Sequence, residues 1–247
     1  MSKLSSKEIE RYSKQLSLPE IGELGQQKLK NSSVLIVGAG GLASPVSYYL
    51  AAAGVGKLGI IDADKVELSN LQRQILHRTA DLDRLKVESA RDSLEALNSN
   101  LEISTYQDFL DFELAKKLFR EYDLVVDCVD NFATRYLVND AAVETNTPLI
   151  EAGVAAFEGQ LMLIDPPQGP CYRCIFPEQS TTDSPERGLL GVIPGTIGTL
   201  QATEAIKYLL GLGRLLLGRL LVYDGLELSF REVEIKRNSS CSVCGDK

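Results

Sequence analysis

Residues 34–64 read VLIVGAGGLASPVSYYLAAAGVGKLGIIDAD, and this stretch decides the fold. Its runs VLIV and LGII are short, apolar and rich in branched residues, which is typical of buried strands. Between them, a glycine-rich turn opens the apolar segment SPVSYYLAAA, which ends at a glycine as many helices do. The order strand, turn, helix, strand predicts a βαβ unit that binds a nucleotide at the turn.

The glycine turn follows the pattern G-x-G-x-x-G/A that holds nucleotide phosphates. Gly38 makes the tight turn, Gly40 lets a phosphate approach the backbone, and the small Ala43 lets helix and strand pack closely. The free N–H groups at the start of the helix then face the anion. Asp62 ends the second strand, where a carboxylate accepts hydrogen bonds from ribose hydroxyls. The turn therefore predicts a nucleotide site, with a turn that binds nothing as the alternative, and leaves the nucleotide's identity open.

Strand and helix signals alternate along the rest of the chain. Apolar residues recur at helical spacing in 7–18, 23–32, 85–98, 131–146 and 198–212, and strands are expected in 101–110, 123–130, 148–154, 159–165 and 219–235. The last range is a strand pair around Asp224-Gly225. This order predicts an α/β fold with a Rossmann-like, mainly parallel sheet that antiparallel strands extend.

We interpret residues 1–247 as one domain with three parts. N-terminal helices occupy 1–32, the nucleotide-binding part spans 33–150, and the remainder, 151–247, carries the paired cysteines. The irregular stretch 166–194 is the one long loop, and loops of that length are usually functional.

Composition narrows the classes of function. The 247 residues include 26 basic and 34 acidic side chains, which gives a net charge near −8. A general nucleic-acid or anionic-membrane surface needs a net basic face, so we expect neither partner. No apolar run reaches the roughly 18–20 residues of a membrane span, and the charged, amphipathic start does not resemble a signal peptide. We therefore expect a cytoplasmic protein whose thiols stay reduced.

A mostly polar segment follows the second predicted strand, at the sheet edge where ligands of open α/β sheets bind. The candidates in this segment are Ser69, Asn70, Leu71, Gln72 and Arg73. A hydride-transfer enzyme has no need of an arginine here, because the helix already holds the pyrophosphate. An enzyme that cleaves a triphosphate does, because negative charge moves onto the departing phosphates. Arg73 therefore favours ATP over a nicotinamide or flavin cofactor, unless it is a solvated surface residue.

Lys86 and Asp130 supply a second cation and an acid. Lys86 begins a predicted helix, and Asp130-Asn131 follows the apolar run VVDCV. A carboxylate in this position suits Mg²⁺, which prefers a few carboxylates together with phosphate oxygens. The plainer alternatives are a surface role for Lys86 and a helix N-cap role for Asp130 or Asn131.

Together these motifs resemble the MoeB/ThiF/HesA family, the bacterial relatives of ubiquitin-activating enzymes. The resemblance is carried by GAGGLASPVSYYLAAAGVGKLGIIDADKVELSNLQRQ, DCVDN, CYRC and CSVCG, and it extends from Glu10 to Gly245. Members of the family use MgATP to adenylylate the C-terminal Gly-Gly carboxylate of a small ubiquitin-like sulfur carrier protein, and they release pyrophosphate. The resemblance implies the same adenylyltransferase activity here, in molybdopterin or thiazole (thiamine) biosynthesis, with 151–247 binding the carrier.

The resemblance also implies roles for single residues. Gly41 and Asp62 would contact the nucleotide, and residues 69–73 would contact its ribose and phosphates. Lys86 would stabilise the transferring phosphate, and Asp130 would bind Mg²⁺. These roles agree with what the residue types suggest on their own.

The family further implies a homodimer in which a cation from an R-Y-x-R-Q motif reaches the partner's site. Here the motif reads Arg11-Tyr12-Ser13-Lys14-Gln15. Lys14 keeps the positive charge but not the bidentate guanidinium. A second departure from the pattern is Leu85, at a position where relatives often have proline.

Four cysteines form two CxxC pairs, Cys171 with Cys174 and Cys241 with Cys244. Two such pairs complete tetrahedral Zn²⁺ and leave no coordination position open. We therefore predict a structural zinc site that ties the C-terminal tail to the long loop, with two disulfides or redox-active dithiols as alternatives. Cys128 lies inside an apolar strand and is expected to be a buried core residue.

The sequence offers few residues that could transfer sulfur or protons. Some family members carry a further loop cysteine, but Ser184 stands at that position, and no cysteine occurs between Cys174 and Cys241. A serine cannot form a persulfide, so we expect the chain to stop at the acyl-adenylate and to leave sulfur transfer to a separate sulfurtransferase. His77, the only histidine, is expected to be a surface or packing residue.

Two other hypotheses compete with an adenylyltransferase. An NAD or FAD oxidoreductase would share the glycine turn but would not need Arg73, Lys86 and Asp130 together. A non-catalytic, zinc-bearing scaffold for a ubiquitin-like partner would share the whole pattern. Nucleotide exchange activity separates the scaffold from the enzyme.

Overall fold

In the computed structural model, which describes residues 3–177 and 188–246, the chain builds an eight-stranded sheet. The strands are β1 Ser33–Val37, β2 Lys57–Ile61, β3 Glu102–Tyr106, β4 Leu124–Asp127, β5 Leu149–Ala155, β6 Glu158–Ile164, β7 Arg219–Asp224 and β8 Ser229–Glu234. Their order is β3-β2-β1-β4-β5-β6-β7-β8. The pairs from β3 to β5 are parallel and those from β5 to β8 are antiparallel, which confirms the predicted fold class.

Helices cover both faces of this sheet. They are α1 Ser6–Arg11, α2 Ser13–Leu16, α3 Gly22–Lys30, α4 Ala43–Ala53, α5 Lys86–Leu97, α6 Phe112–Phe119, α7 Phe132–Thr145, α8 Tyr172–Ile175 and α9 Val192–Leu210. Side chains of β1 alternate between two apolar cores, as the pleat requires. Val34 and Ile36 pack with α4, α5 and α9, whereas Leu35 and Val37 pack with α6, α7 and α8. In the described parts of the chain, no helix is both long and apolar enough to cross a membrane.

Several predicted boundaries were wrong. The helix expected in 7–18 is two short helices that meet at Tyr12, where the backbone leaves helical geometry. The stretch 166–194 is not one loop, since α8 lies inside it and α9 already begins at Val192, with Pro194 tolerated in its first turn. Helix α6 was not predicted at all. Cys128 lies one residue beyond β4 and not inside the strand, although it is buried as expected.

The strand order determines where a ligand binds. From β1 the chain moves outward to β2 and β3, and then returns to place β4 on the other side of β1. This reversal between β1 and β4 is the switch point at which open parallel sheets bind ligands, at the carboxyl ends of the strands. The glycine turn follows β1, Asp62 follows β2 and Asp130 follows β4, so all three lie at the same edge.

Candidate active site

The glycine turn has the conformation that its sequence predicts. Gly38 has φ 97°, and its N–H donates to the carbonyl of Ile61 at 2.8 Å. A Cβ at this position would lie 2.9 Å from the carbonyl oxygen of Cys128, so a side chain would be excluded by space as well as by φ. The close approach of Gly38 to Cys128 brings the turn against the segment that leads to Asp130.

Asp62 is tied to the glycine turn by its carboxylate. Its Oδ2 accepts a hydrogen bond from the N–H of Ala39 at 2.7 Å, and its Oδ1 accepts from the N–H of Asp64 at 2.8 Å. The carboxylate thus organises the turn directly, which the sequence interpretation did not include. Its other role, toward a ribose, stays a prediction.

The segment after β2 places Arg73 beside the glycine turn. Residues Leu68–Asn70 form one 3₁₀ turn, in which Ser69 is exposed. The Nη1 of Arg73 donates to the carbonyl of Ser69 at 3.2 Å. A Cβ on Gly41 would lie 3.4 Å from Cγ of Arg73, so these two predicted ligands are neighbours.

The other predicted residues of this segment support it or lie at its surface. Asn70 accepts a hydrogen bond from the Nε2 of Gln74 at 2.7 Å, and the Nε2 of Gln74 lies 3.6 Å from the position of a Cβ on Gly40. Gln72 is exposed, and its carbonyl lies against Gly191 at the start of α9. Leu71 is half-buried. The segment thus lies between the glycine turn and the start of α9.

Lys86 begins α5 as predicted, but it is not a solvated surface residue. Its side chain is only 8% exposed, and its Nζ lies 2.9 Å from Oδ2 of Asp64, which is 61% exposed. Because Asp64 also donates its N–H to Asp62, the lysine is linked to the glycine turn through two acids.

Asp130 is exposed at the end of the β4 segment, and no ion pair involving it occurs within 3–177 and 188–246. Asn131 is the N-cap of α7, where its side chain accepts from the N–H of Thr134 at 2.9 Å. Of the two candidates, Asn131 is therefore the N-cap, and the Asp130 carboxylate does not cap the helix. An exposed carboxylate at the switch point fits the oxygen chemistry that Mg²⁺ requires.

A buried charge cluster below Asp130 was not predicted. The Nε of Arg135 lies 3.0 Å from Oε1 of Glu151 and 3.9 Å from Oδ2 of Asp127. These are ion pairs, but neither has the geometry of a hydrogen bond. Both carboxylates are fully buried. Burial raises the pKa of Asp127 to about 6 and that of Glu151 to about 8, while Arg135 opposes both shifts.

This cluster holds the backbone that leads to Asp130. Oδ1 of Asp127 accepts from the N–H of Val129 at 2.9 Å, and Nη2 of Arg135 donates to the carbonyls of Val129 and Ala152 at 3.1 Å and 3.0 Å. One signal for it was present in the sequence, since a glutamate stands inside the apolar run of β5.

Lys14 does not join the other site residues within the chain. It is exposed, and its neighbours in sequence anchor it elsewhere. The Nε2 of Gln15 donates to the carbonyl of Ala53 at 3.0 Å, and Tyr12 is buried beside Gly54. Both contacts lie at the C-terminal end of α4, which at 11 residues is about 16 Å from its start at the glycine turn.

The four paired cysteines converge, and all are free thiols. Their sulfurs lie within 4.8 Å of one another, with 3.6 Å between Cys171 and Cys241 and 3.3 Å between Cys174 and Cys244. Tetrahedral Zn²⁺ with Zn–S bonds of about 2.3 Å separates its sulfurs by about 3.8 Å, so the arrangement fits a metal. Disulfides would need sulfurs about 2 Å apart.

Without a metal, the pKa values of these thiols shift in opposite directions. Burial, and then the neighbouring cysteines, raise the pKa of Cys171 well above its usual range. Burial has the same direction at Cys241, but the N–H groups of Cys244 and Val243 outweigh it and lower the pKa to about 7. A metal dication favours the deprotonated sulfurs and would overcome the cost at Cys171.

His77 and Ser184 are the two remaining residues that the sequence singled out. His77 is buried, at 5% exposure, which confirms a packing position and rules out a surface one. Ser184 lies outside the described residues.

Comparisons with known proteins agree with this arrangement. A model of the ThiF family matches residues 12–243. A sulfur carrier protein adenylyltransferase of Thermus thermophilus is 46% identical over 252 residues, covering 98% of this chain and 93% of that protein. An adenylyltransferase and sulfurtransferase MOCS3 of Culex quinquefasciatus is 49% identical over 251 residues, covering 100% of this chain and 57% of its own length.

Solved structures give the same result at the level of the fold. A crystal structure of E. coli MccB superposes with a TM-score of 0.86 at 26% identity, covering 99% of this chain and 74% of MccB. The structure of E. coli MccB with ATP has a TM-score of 0.78 at 29% identity, covering 89% of this chain and 68% of that one. The relatives' names support the predicted adenylyltransferase activity. The chain belongs to the ThiF family.

Proposed function

We propose that this chain uses ATP to adenylylate the C-terminal carboxylate of a ubiquitin-like sulfur carrier protein that ends in Gly-Gly, releasing pyrophosphate. The main support for this proposal is that the glycine turn, Asp62, Arg73 and the exposed Asp130 all lie at one switch point of the sheet. An oxidoreductase would gain nothing from a cation and a free carboxylate at this edge. Molybdopterin synthesis is the pathway that the MOCS3 relatives favour, and thiazole synthesis is the second candidate.

In the proposed reaction, the carrier's terminal carboxylate attacks the α-phosphorus of ATP opposite the pyrophosphate. The carboxylate is ionised at neutral pH, so no general base is needed, and catalysis rests on positioning and on charge stabilisation. The N–H groups of the glycine turn would bind phosphate oxygens, and Arg73 would stabilise the negative charge that moves onto the leaving group. Lys86 would add a second cation from the buried side of the site.

Two metals are part of the proposal. Asp130 would hold Mg²⁺, which neutralises phosphate charge when it is bound. The four cysteines would hold a structural Zn²⁺ that joins the C-terminal tail to α8. The part from 151 onward, with its antiparallel strands and zinc site, would bind the body of the carrier.

We further propose a homodimer in which Lys14 enters the partner's site. The support is its exposure and its anchoring about 16 Å from the glycine turn of its own chain, one length of α4. Because no cysteine that could form a persulfide occurs between Cys174 and Cys241, a separate sulfurtransferase would convert the acyl-adenylate. A cytoplasmic setting fits the reduced thiols that a zinc site needs.

The test is ATP–pyrophosphate exchange on the purified protein, with candidate carriers ending in Gly-Gly and the same carriers lacking the last glycine. We expect exchange that needs Mg²⁺ and the intact carrier terminus, and that falls by about 100-fold or more in Arg73→Ala and Asp130→Ala. Matched controls are Arg120→Ala and Glu121→Ala, exposed residues just before β4 at the opposite edge of the sheet. ATP binding without exchange for any carrier would instead favour the scaffold hypothesis.

A further inference from the structure

The single histidine contacts the glycine turn from inside the protein. The Nε2 of His77 lies 2.8 Å from the carbonyl oxygen of Ala39, and its Nδ1 lies 2.9 Å from Oγ of Ser89. Because a carbonyl oxygen only accepts, Nε2 carries the ring proton and donates to Ala39. Nδ1 of the neutral ring is then left as an acceptor facing the Ser89 hydroxyl, which also contacts the Asp81 carboxylate.

This contact fixes the direction of one particular N–H group. In a trans peptide the C=O of Ala39 and the N–H of Gly40 point in opposite directions. His77 holds that carbonyl inward, so the N–H of Gly40 is turned outward, toward the edge where the nucleotide is proposed to bind. Gly40 is partly exposed, and no hydrogen bond among the described residues uses its N–H. The preceding peptide is fixed as well, because the N–H of Ala39 donates to Asp62.

The same histidine joins the turn to the helix that carries Lys86. Ser89 lies one turn after Lys86 in α5 and is 1% exposed. Lys86 contacts Asp64 through its Nζ and also donates its backbone N–H to the carbonyl of Asp64 at 2.9 Å. Since Asp64 bonds to Asp62 and Asp62 bonds to Ala39, these contacts close a ring through His77.

From this ring we infer that His77 is a positioning residue for the nucleotide: it keeps the Gly40 N–H directed at a phosphate and holds the turn at a fixed distance from Lys86. The inference rests on the proposed function, because it requires a nucleotide phosphate at the turn. His77 touches neither substrate nor reacting atoms, so its effect is on binding and alignment.

The charge state of the ring fits this role. Burial lowers the pKa of His77, and the nearby charge of Lys86 lowers it further, against the raising effects of the Ala39 carbonyl, Asp62 and Asp81. The ring is therefore neutral at neutral pH. A neutral ring provides a donor for the Ala39 carbonyl and an acceptor that faces the Ser89 hydroxyl.

Two substitutions separate positioning from packing. His77→Gln keeps a donor for the Ala39 carbonyl and an acceptor for Ser89, whereas His77→Leu fills the space without either. We expect His77→Leu to raise the dissociation constant of MgATP, measured by calorimetry, about five- to twentyfold, with a parallel rise of KM in the exchange reaction. We expect kcat to change less than about threefold, and His77→Gln to bind within about threefold of the parent.

Serines of α5 provide the second variant and the control. Ser89→Ala removes the hydroxyl that orients the ring and should weaken MgATP about two- to fivefold, so the inference stays testable if His77→Leu does not fold. Ser93→Ala removes another buried hydroxyl of this helix, one that donates to the Leu76 carbonyl at 2.8 Å and does not contact the turn. It should lower the melting temperature without changing the dissociation constant.

The inference is overturned if His77→Leu and Ser89→Ala leave MgATP affinity unchanged, or if His77→Gln weakens it as much as His77→Leu does. Either result would make the side chain a packing residue only. Failure of the parent protein to bind MgATP would instead refute the proposed function, so the two failures are distinguishable.

Discussion

The Nζ of Lys86 lies 2.9 Å from Oδ2 of Asp64, although the lysine side chain is 8% exposed and the aspartate side chain 61% exposed. A buried cation is thus paired with an acid on the surface. Such a cation needs a partner to offset its desolvation. In the proposed reaction the phosphates of ATP are a second anion for Lys86, so the nucleotide would compete with Asp64.

Replacing Asp64 should therefore lower the stability of the protein most when no nucleotide is bound. We expect Asp64→Asn to lower the free energy of unfolding by about 1 kcal/mol without MgATP and by less in its presence. Thermal unfolding with and without saturating MgATP measures both values. Asp92→Asn is the control, because Asp92 is 60% exposed and pairs with Arg84 away from the glycine turn. An equal loss in both conditions would mean that Asp64 stays on Lys86 when ATP is bound.

The proposed dimer predicts complementation between two defective chains. Lys14→Ala should lower exchange about tenfold or more, and Arg73→Ala should abolish it. A mixed dimer of the two variants has one site with an intact Arg73 and an intact Lys14 from the partner. Random mixing should therefore restore about a quarter of the parent activity, since half of the dimers are mixed and each has one intact site.

A cis role for Lys14 would give no recovery on mixing, because every site would then lack one of the two cations. Lys14→Arg serves as the control that preserves charge, and it should retain exchange or increase it through the bidentate guanidinium.

The local features of the fold and the site were predictable because each rests on neighbouring residues. The positive φ of Gly38, the end of α4 at Gly54 and the cap at Asn131 follow from residue type and short spacing. The positions of Asp62 and Asp130 follow from strand ends in a parallel sheet. Helix α6 was missed in spite of a local signal, its N-cap Asp111, because the preceding apolar and aromatic residues favoured a strand there.

Contacts between distant residues were not predictable from one sequence. Arg135 meets Glu151 only because α7 packs beside β5, and His77 meets Ala39 across 38 positions of the chain. The glutamate in the apolar run of β5 and the lone histidine are visible in the sequence, but the sequence does not indicate which residues they contact. The same holds for Lys86, whose burial depends on how α5 meets the edge of the sheet.

The cysteine cluster predicts a metal content and a specific dependence on it. The purified protein should contain about one Zn²⁺ per chain, and Cys244→Ser should lose it. We expect the free energy of unfolding to fall by about 2–4 kcal/mol, or roughly 5–10 °C in melting temperature at this chain length, because the tail is released from α8. Metal analysis and thermal unfolding measure the two effects.

Cys128 supplies the matched control for the zinc prediction. It is buried, lies outside the cluster and has a pKa raised by burial, so Cys128→Ala should keep the full metal content. A full zinc content in Cys244→Ser, or no zinc in the parent protein, would contradict the structural site.

The buried cluster of Asp127, Arg135 and Glu151 predicts how stability changes with pH. Burial raises the pKa of Glu151 from 4.5 to about 8, so the folded chain binds a proton that the unfolded chain releases. The stability that this proton contributes is complete below 4.5 and is lost as pH rises toward 8. Glu151→Gln resembles the protonated carboxyl and removes this loss. Between pH 6 and 8.5, the variant should therefore gain relative to the parent by at most about 1.4 kcal/mol per pH unit.

Urea unfolding at four pH values between 6 and 8.5 measures this difference, and most of this range lies above the pKa of about 6 at Asp127, where Glu151 dominates the titration. Glu158→Gln, an exposed glutamate on the neighbouring β6, measures the effect of removing one surface carboxylate. A difference between Glu151→Gln and the parent that is constant across the range would show that Glu151 is ionised throughout. Glu151 and Asp127 would then both be charged beside Arg135, and the cluster would carry a net negative charge under Asp130.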